Sequence, residues 1–482
     1  MYDVLEKSIE QLQADMTAGV TTAEEITMAY LLRIARLDQD GPKVNSVLEI
    51  NPDALFCARA LDRERRISGP RGPLHGIPVL LKDNISTGDK LHTSAGAEAL
   101  ADNFALADAP VVRQLRRAGA IILGKTNLSE LARYMNTEIP NGYSARGGQT
   151  LNPHGEDLDP LGSSTGSAVA AAMSFAAAAV GTETCGSIIS PSSANSIVGL
   201  KPTVGAVSRS GIIPINSQDT AGPMARTVRD AAILLGALTG PDEDDPATLS
   251  TGQVVFTDYL PFLDEDALRG VRVGVGIPEA GWLSQPQIDR YREALSFLEK
   301  AGAELVYGCD IPSVEQAECC LTEPVMAYEF KRYMDAYLAK YCSLPGVRTL
   351  HDLVVYNRAH EQTAARYGQD ILEDCDEHTS GRLTEPVYLL EKARVLQACG
   401  PDGIDRVMRE NGVDVLVCPA VNAEAATCGY PLVTVPAGIA SDGRPIGLTM
   451  IAGPFSEGRL LGWAYAFEQA SQLRVVPSIA RQ

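Results

Sequence analysis

Residues 181–191 read GTETCGSIISP and set Cys185 and Ser187 two positions apart among small, glycine-flanked residues. Either side chain can attack a carbonyl once a base takes its proton. The stretch also suits a tight junction between a strand and a loop, and its residues alone leave both options open. The choice depends on the bases found elsewhere. Six histidines are present, at 75, 92, 154, 351, 360 and 378, but no G-x-S-x-G nucleophile elbow accompanies them. His154, in NPHG, reads as a turn residue. Lysine is the other option. Lys82 closes the run HGIPVLL and is the first charge after seven mostly apolar residues. Burial disfavours an ammonium, so such an amine can become neutral near pH 7 and accept a proton. A strand-end lysine can equally point to water or pair with the adjacent Asp83. A third stretch, PLGSSTGSA at 160–168, carries Ser163, Ser164 and Ser167 between glycines. It fits a capped helix start. It also fits a hydroxyl relay, through Ser163, between an amine and a second hydroxyl.

Other chemistries find no support. There is no HExxH, no histidine pair at i, i+4 and no Cys/His cluster for zinc. No GxxxxGK[ST] or GxGxxG supports a nucleotide, and GSSTGS lacks the lysine of a phosphate loop. These patterns support neither a zinc site nor a nucleotide site. The formal net charge is −20, which repels nucleic acid and anionic lipid, so neither is expected as a main partner. Ten scattered cysteines without a CxxC pair suit reduced thiols in the cytoplasm. The start, MYDVLEKSIEQLQADM, reads as a polar amphipathic helix, not a signal peptide. The apolar window 168–180 is too short and too alanine-rich to span a bilayer.

The elements that must position these residues alternate. Helices are expected at 3–16 and 22–37, the second with a Thr22/Glu25 capping box. A strand at 46–50 leads into a helix through Arg66, with Asn51 as N-cap and Pro52 in the first turn. Strands are expected at 76–83 and 119–127, then a helix from Ser129. Residues 144–167 read as irregular chain. The run TGSAVAAAMSFAAAAVG predicts a buried helix over 166–177. Thr227 and Asp230 cap a helix over 228–239, and 240–248 reads as a solvent loop. Residues 285–400 are largely helical in periodicity, a lid or inserted layer. Strands return at 413–419, 431–438 and 444–453, before a last helix at 456–471. The pattern is α/β with a mostly buried sheet.

HGIPVLLKDNI, ILGKTNLSELA, the long segment from NPHGEDLDPLGSSTGSA through GTETCGSIISPSSANSIVGLKPTVGAVSRSGIIP, and DTAGPMARTVRDAAILLGALTG closely resemble the amidase signature family. So does PLVTVPAGIASDGRPIGLTMIAGPFSEGRLL. The resemblance covers roughly 5–240 and 410–475 and is weak through the helical region. It looks closest to bacterial peptide-amidase-like members. It implies a large mixed, mostly buried β-sheet covered by helices on both faces, with a helical insertion around 285–400. It also implies one domain over 1–482: an N-terminal helical layer (1–70), a signature core (71–250), the variable substrate wall (285–400) and closing strands and helix (410–475).

The resemblance further implies a Ser–cisSer–Lys triad. Lys82 matches the base, Ser163 the relay after a cis peptide from Gly162, and Ser187 the nucleophile. Backbone N–H groups of Thr184, Cys185, Gly186 and Ser187 match the oxyanion hole. The implied reaction is hydrolysis of small or peptide C-terminal amides through an acyl-enzyme on Ser187. Carbamates, urethanes or anilides are the alternative substrates, and a glutaminase subunit of a tRNA-dependent amidotransferase is a more distant one. The expected partner is a small-molecule amide or carbamate, and the expected state a monomer or homodimer. One departure stands out. Ile189 occupies the position where the family pattern has an arginine, which puts the support around Glu183 in question.

Overall fold

The computed structural model describes residues 2–213, 217–250, 252, 255–276, 283–311, 324–419 and 422–482. Eleven strands form one mixed sheet: β1 (Val47–Ile50), β2 (Pro78–Lys82), β3 (Ile121–Thr126), β4 (Ala178–Glu183), β5 (Val198–Lys201), β6 (Thr220–Ala225), β7 (Arg272–Val275), β8 (Glu304–Tyr307), β9 (Val415–Cys418), β10 (Leu432–Ile439) and β11 (Pro445–Ile451). Their order across the sheet is β1-β3-β2-β4-β6-β5-β10-β11-β9-β7-β8. The pairs β2–β3, β2–β4, β7–β9 and β7–β8 are parallel, and the other pairs are antiparallel. Every residue of β2, β3, β4, β5, β6 and β11 is buried. Such strands are covered on both faces, which is why their sequences run apolar without alternating. The α/β expectation holds.

Several sequence boundaries move, each for a visible reason. Helices α1 (Ile9–Thr17) and α2 (Ala23–Arg33) start later than the periodicity suggests, and the Thr22/Glu25 capping box is present. Asn51 does not cap α3 (Ala54–Ser68); its side chain accepts the N–H of Asp53, which sits at the cap. After helix α4 (Pro110–Arg117) and β3, no regular helix follows Ser129. Residues 130–133 form a tight turn, and Leu131, Ala132 and Arg133 adopt left-handed φ values of 48°, 57° and 72°. Long-range pairing wins there over local helix propensity: the N–H of Leu131 donates to Ala95 O at 2.9 Å.

The alanine run divides. Helix α5 (Thr165–Ala172) stops early, and the next alanines form β4. Two arginines claim the freed carbonyls. Arg33 donates to Met173 O and Ser174 O, and Arg226 to Ala171 O and Ala176 O. Cations at a helix C-terminus satisfy its orphan carbonyls. Small residues then let α5 lie close on the sheet. A Cβ on Gly181 of β4 would come within 2.6 Å of Met224 Sδ and 2.9 Å of Ser164 Oγ.

The short helix α6 (Ile189–Ala194) follows the candidate nucleophile, and α7 (Val228–Leu238) is N-capped by Thr227. The 285–400 region is not wholly an insertion. Its first helix, α8 (Gln285–Lys300), packs on β10 and β11, and β8 extends the sheet edge. The inserted layer proper is α9 (Val325–Tyr341), α10 (Leu350–Ala359), α11 (Asp370–His378) and α12 (Pro386–Cys399). An apolar cluster joins it to the 131–135 turn through Leu131, Tyr134, Phe330, Met334 and Leu372. The last helix, α13 (Glu457–Ser471), packs against β10 and α8.

Candidate active site

Parallel pairing sets the lysine. Leu81 of β2 lies opposite Val180 of β4, so Lys82 ends its strand beside the end of β4. The crevice at the carboxyl ends of parallel strands is where α/β sheets bind ligands. Lys82 is fully buried. Its Nζ lies 2.8 Å from Ser163 Oγ, 3.0 Å from Ser164 Oγ, 3.0 Å from Thr182 Oγ1 and 3.3 Å from Thr182 O. Burial pulls its pKa down to about 7, against the opposing pull of the Asp219 and Glu183 charges. The neighbouring Asp83 is not its partner. That carboxylate accepts from Ser94 and Gly96 and pairs with Arg146 at 3.5 Å.

A neutral amine has two N–H donors and one lone pair. Thr182 and Ser164 can take the donors, which leaves the lone pair for the hydroxyl hydrogen of Ser163. The surrounding groups are themselves fixed. Asn84 Nδ2 donates to Thr182 Oγ1 at 3.0 Å. Ser164 Oγ donates to Thr182 O at 2.9 Å and accepts the N–H of Thr182 at 3.2 Å. Thr182 and Asn84 were not singled out in the sequence, and Ser164 was named there only as a member of the serine-rich stretch. Thr182 comes within reach of Lys82 only through the pairing of β2 with β4, which no local sequence signal shows.

The peptide between Gly162 and Ser163 is cis. The N–H of Ser129 donates to Ser163 O at 3.1 Å, and the N–H of Ser164 to Ser187 O at 3.0 Å. The second bond ties the serine-rich loop to the turn after β4. A Cβ on Gly162 would stand 2.4 Å from Ser129 Oγ, so only glycine fits. Ser163 and Ser187 line one cavity of about 1280 Å³, together with Gly162, Thr184 and Cys185. Gly186 turns the chain at φ 82°. Among the described residues, no protein acceptor takes the N–H of Cys185, Gly186 or Ser187.

Cys185 shares the lining, but burial and the nearby Glu183 and Glu424 charges push its thiol pKa upward. It is held as a thiol, and a thiolate is what would attack. His154 lies away from the lining; it hydrogen-bonds at 3.4 Å to Asn195 O, and burial lowers its pKa to about 4. The question about Ile189 has a structural answer. The Glu183 carboxylate accepts the N–H of Ile188 at 2.6 Å and of Ile189 at 2.9 Å. The Ile189 side chain is buried against Leu416, Leu432 and Ile451. Two backbone donors and an apolar anchor stand where the resemblance leads one to expect a charged side chain. Among the described residues, no group of three or more His, Cys, Asp or Glu side chains could hold a metal ion.

A buried amine thus lies within hydrogen-bond reach of two serine hydroxyls at the strand ends of a mixed α/β sheet. The chain belongs to the amidase family, whose model matches residues 25–432. It superposes on the native peptide amidase of Stenotrophomonas maltophilia with a TM-score of 0.92 and 44% identity, covering 98% of this chain and 99% of that one. A protein of Arabidopsis thaliana named as a probable amidase is 38% identical over 99% of this chain and 92% of its own length. A glutamyl-tRNA(Gln) amidotransferase subunit of Halorhodospira halophila is 32% identical over 97% of both. These likenesses run through the helical region as well, further than the motifs reached.

Proposed function

We propose that the chain is a serine amidohydrolase that cleaves the carboxylic amide C–N bonds of peptide C-terminal amides and small alkyl or aryl amides. One observation carries this reading: a fully buried Lys82, depressed to a pKa of about 7, lies 2.8 Å from Ser163 at the head of a cavity that Ser187 lines. In the proposed step, Ser187 gives its proton to Ser163 as Ser163 passes its own to Lys82, and Ser187 Oγ attacks the carbonyl. The N–H groups of Thr184, Cys185, Gly186 and Ser187 receive the oxyanion; one such donor contributes about 2.7–4 kcal/mol to lowering a barrier. Ser163 returns the proton to the departing nitrogen. Water, activated by the same pair, then releases the acid.

The same geometry accepts carbamates, urethanes and anilides, because attack on either carbonyl gives a tetrahedral oxyanion. The peptide-amidase likeness at 44% identity favours the amide. It also disfavours a glutaminase subunit working in a complex, although the amidotransferase likeness keeps that reading worth testing. We read the protein as a single-domain cytoplasmic enzyme, monomeric or homodimeric, without a cofactor. Eight cysteines among the described residues are free thiols, and no helix there is long and apolar enough to cross a membrane. A serine-directed fluorophosphonate followed by peptide mapping tests the mechanism, with label expected on Ser187; label on Cys185 alone would refute it. A panel of peptide amides, p-nitroanilides and aryl carbamates tests the substrate class, and turnover of carbamates alone would refute the amide reading.

A further inference from the structure

We infer that the acyl group carrying the scissile amide bears an aromatic or branched apolar side chain, selected by a wall of Tyr134, Met326, Phe330 and Ile371. This deepens the amide-hydrolase reading and rests on it. All four residues border the cavity that holds Ser163 and Ser187; Tyr134, Met326 and Ile371 reach its surface, and the fully buried Phe330 backs them. A primary amide releases only ammonia, which occupies about as much space as a water molecule, on the order of 30 Å³. Nearly all of the 1280 Å³ cavity is therefore left for the acyl side. That exceeds the roughly 300–1,000 Å³ common for small-molecule pockets. A minimal amide would leave apolar surface bare.

The wall is built as a unit. Met326 and Phe330 stand at i and i+4 on α9, so they share one helix face. The Tyr134 and Phe330 rings lie 4.8 Å apart, inclined by 48°, within the range of favourable aromatic pairs. Ile371 comes from α11, which packs on α9. The left-handed turn at 131–133 delivers Tyr134, and its neighbour Ser129 holds the Ser163 carbonyl. The wall and the relay serine are thus connected through five residues of chain. The charged lining residues are Arg133, next to Tyr134 on the same turn, Asp157 and Asp159 ahead of the relay serine, and Asp310, Glu424 and Arg444 on segments attached to β8, β9 and β11. An apolar side chain seated against Met326 and Ile371 releases water from both surfaces, whereas a polar one loses water and gains no partner from those two residues.

The test compares kcat/KM for N-acetylated amino-acid amides bearing Phe, Leu, Ala and Asp side chains. The Phe and Leu amides are expected to exceed the Ala amide by about 10–200-fold and to exceed the Asp amide as well. Phe330→Leu and Ile371→Asp should each shrink the Phe-to-Ala ratio about tenfold or more. Ile371 is half-buried, so its variant keeps the comparison available if the Phe330 variant fails to fold, and melting temperatures identify which variants are folded. Equal rates on all four amides, or an unchanged ratio in folded Ile371→Asp, overturns the wall while hydrolysis itself stands. Failure of the unaltered enzyme on every amide overturns the hydrolase reading and the wall with it.

Discussion

Lys82 Nζ and Ser163 Oγ lie 2.8 Å apart inside a protein interior that excludes water from the amine. In the proposed mechanism the neutral form of the lysine is the working form, and burial sets where it appears. Its pKa is pulled down from 10.5 to about 7. The expected profile of kcat/KM is a single ascending limb with its midpoint near pH 7, as free enzyme loses one proton. Stability follows the same group. A folded pKa below the unfolded one means that the unfolded chain binds more protons between about pH 7 and 10.5, so this lysine's contribution to stability rises with pH across that window and is lost as pH falls through 7. Denaturant midpoints measured from pH 6 to 10 should rise for the native protein and flatten for Lys82→Met. An equal rise in Lys82→Met would remove the lysine as the source.

Ser187 and Cys185 are separated by one glycine in the turn after β4. Ser187→Ala should abolish turnover and fluorophosphonate labelling. Ser163→Ala should retain a trace, with a loss of about 10²–10⁴-fold expected from one proton-transfer group. Cys185→Ala should keep substantial activity, because its thiol is held protonated. Initial rates on one peptide amide, with circular dichroism on each variant, decide this. An inactive but folded Cys185→Ala would hand the attack to the thiol.

Lys82, Ser163 and Ser187 became candidates because each sits at a punctuated place in the sequence, but it was the family resemblance that singled them out. Lys82 ends an apolar strand, Ser163 follows Pro-Leu-Gly, and Ser187 follows Cys-Gly. What sequence reading missed depends on pairing across the sheet. Thr182 meets Lys82 only because β2 and β4 run parallel in one register. Long helical periodicity around 285–400 concealed β8, whose four residues are too few and too exposed to show against the flanking helices. The alanine run misled for the opposite reason. Its helix propensity is real, but Arg33 and Arg226, brought in from distant segments, take the carbonyls that would have continued the helix.

Glu183 works on both sides of the nucleophile turn. Its carboxylate holds the N–H groups of Ile188 and Ile189, and its charge raises the pKa of Lys82 against the effect of burial. Glu183→Gln keeps an acceptor oxygen but removes the charge. The ascending limb of kcat/KM should move below pH 7, since one of two opposing charges is gone. Hydrogen bonds to a charged acceptor contribute about 1.5–3 kcal/mol, against about 1 for a neutral one, so the melting temperature should also fall. A limb that stays in place, with only the melting temperature lowered, would restrict Glu183 to holding the backbone.

Gly181 tests how closely the relay loop must lie on β4. Its added Cβ would meet Met224 Sδ at 2.6 Å and Ser164 Oγ at 2.9 Å. The methionine end can swing aside, since Met is adaptable, but Ser164 is bound to both the carbonyl and the N–H of Thr182. Gly181→Ala should therefore displace Ser164 first and carry Ser163 with it through the adjoining peptide. Overpacking of this kind costs about 1–3 kcal/mol of stability. The catalytic loss should exceed what such a cost predicts, because a misplacement on the order of 1 Å can lower a rate about 10²-fold. Steady-state kinetics beside thermal melts separate the two effects. Double substitution with Met224→Ala, which opens room on the sulfur side alone, should recover stability more than kcat; full recovery of kcat would show that Met224, and not the serine, had transmitted the strain.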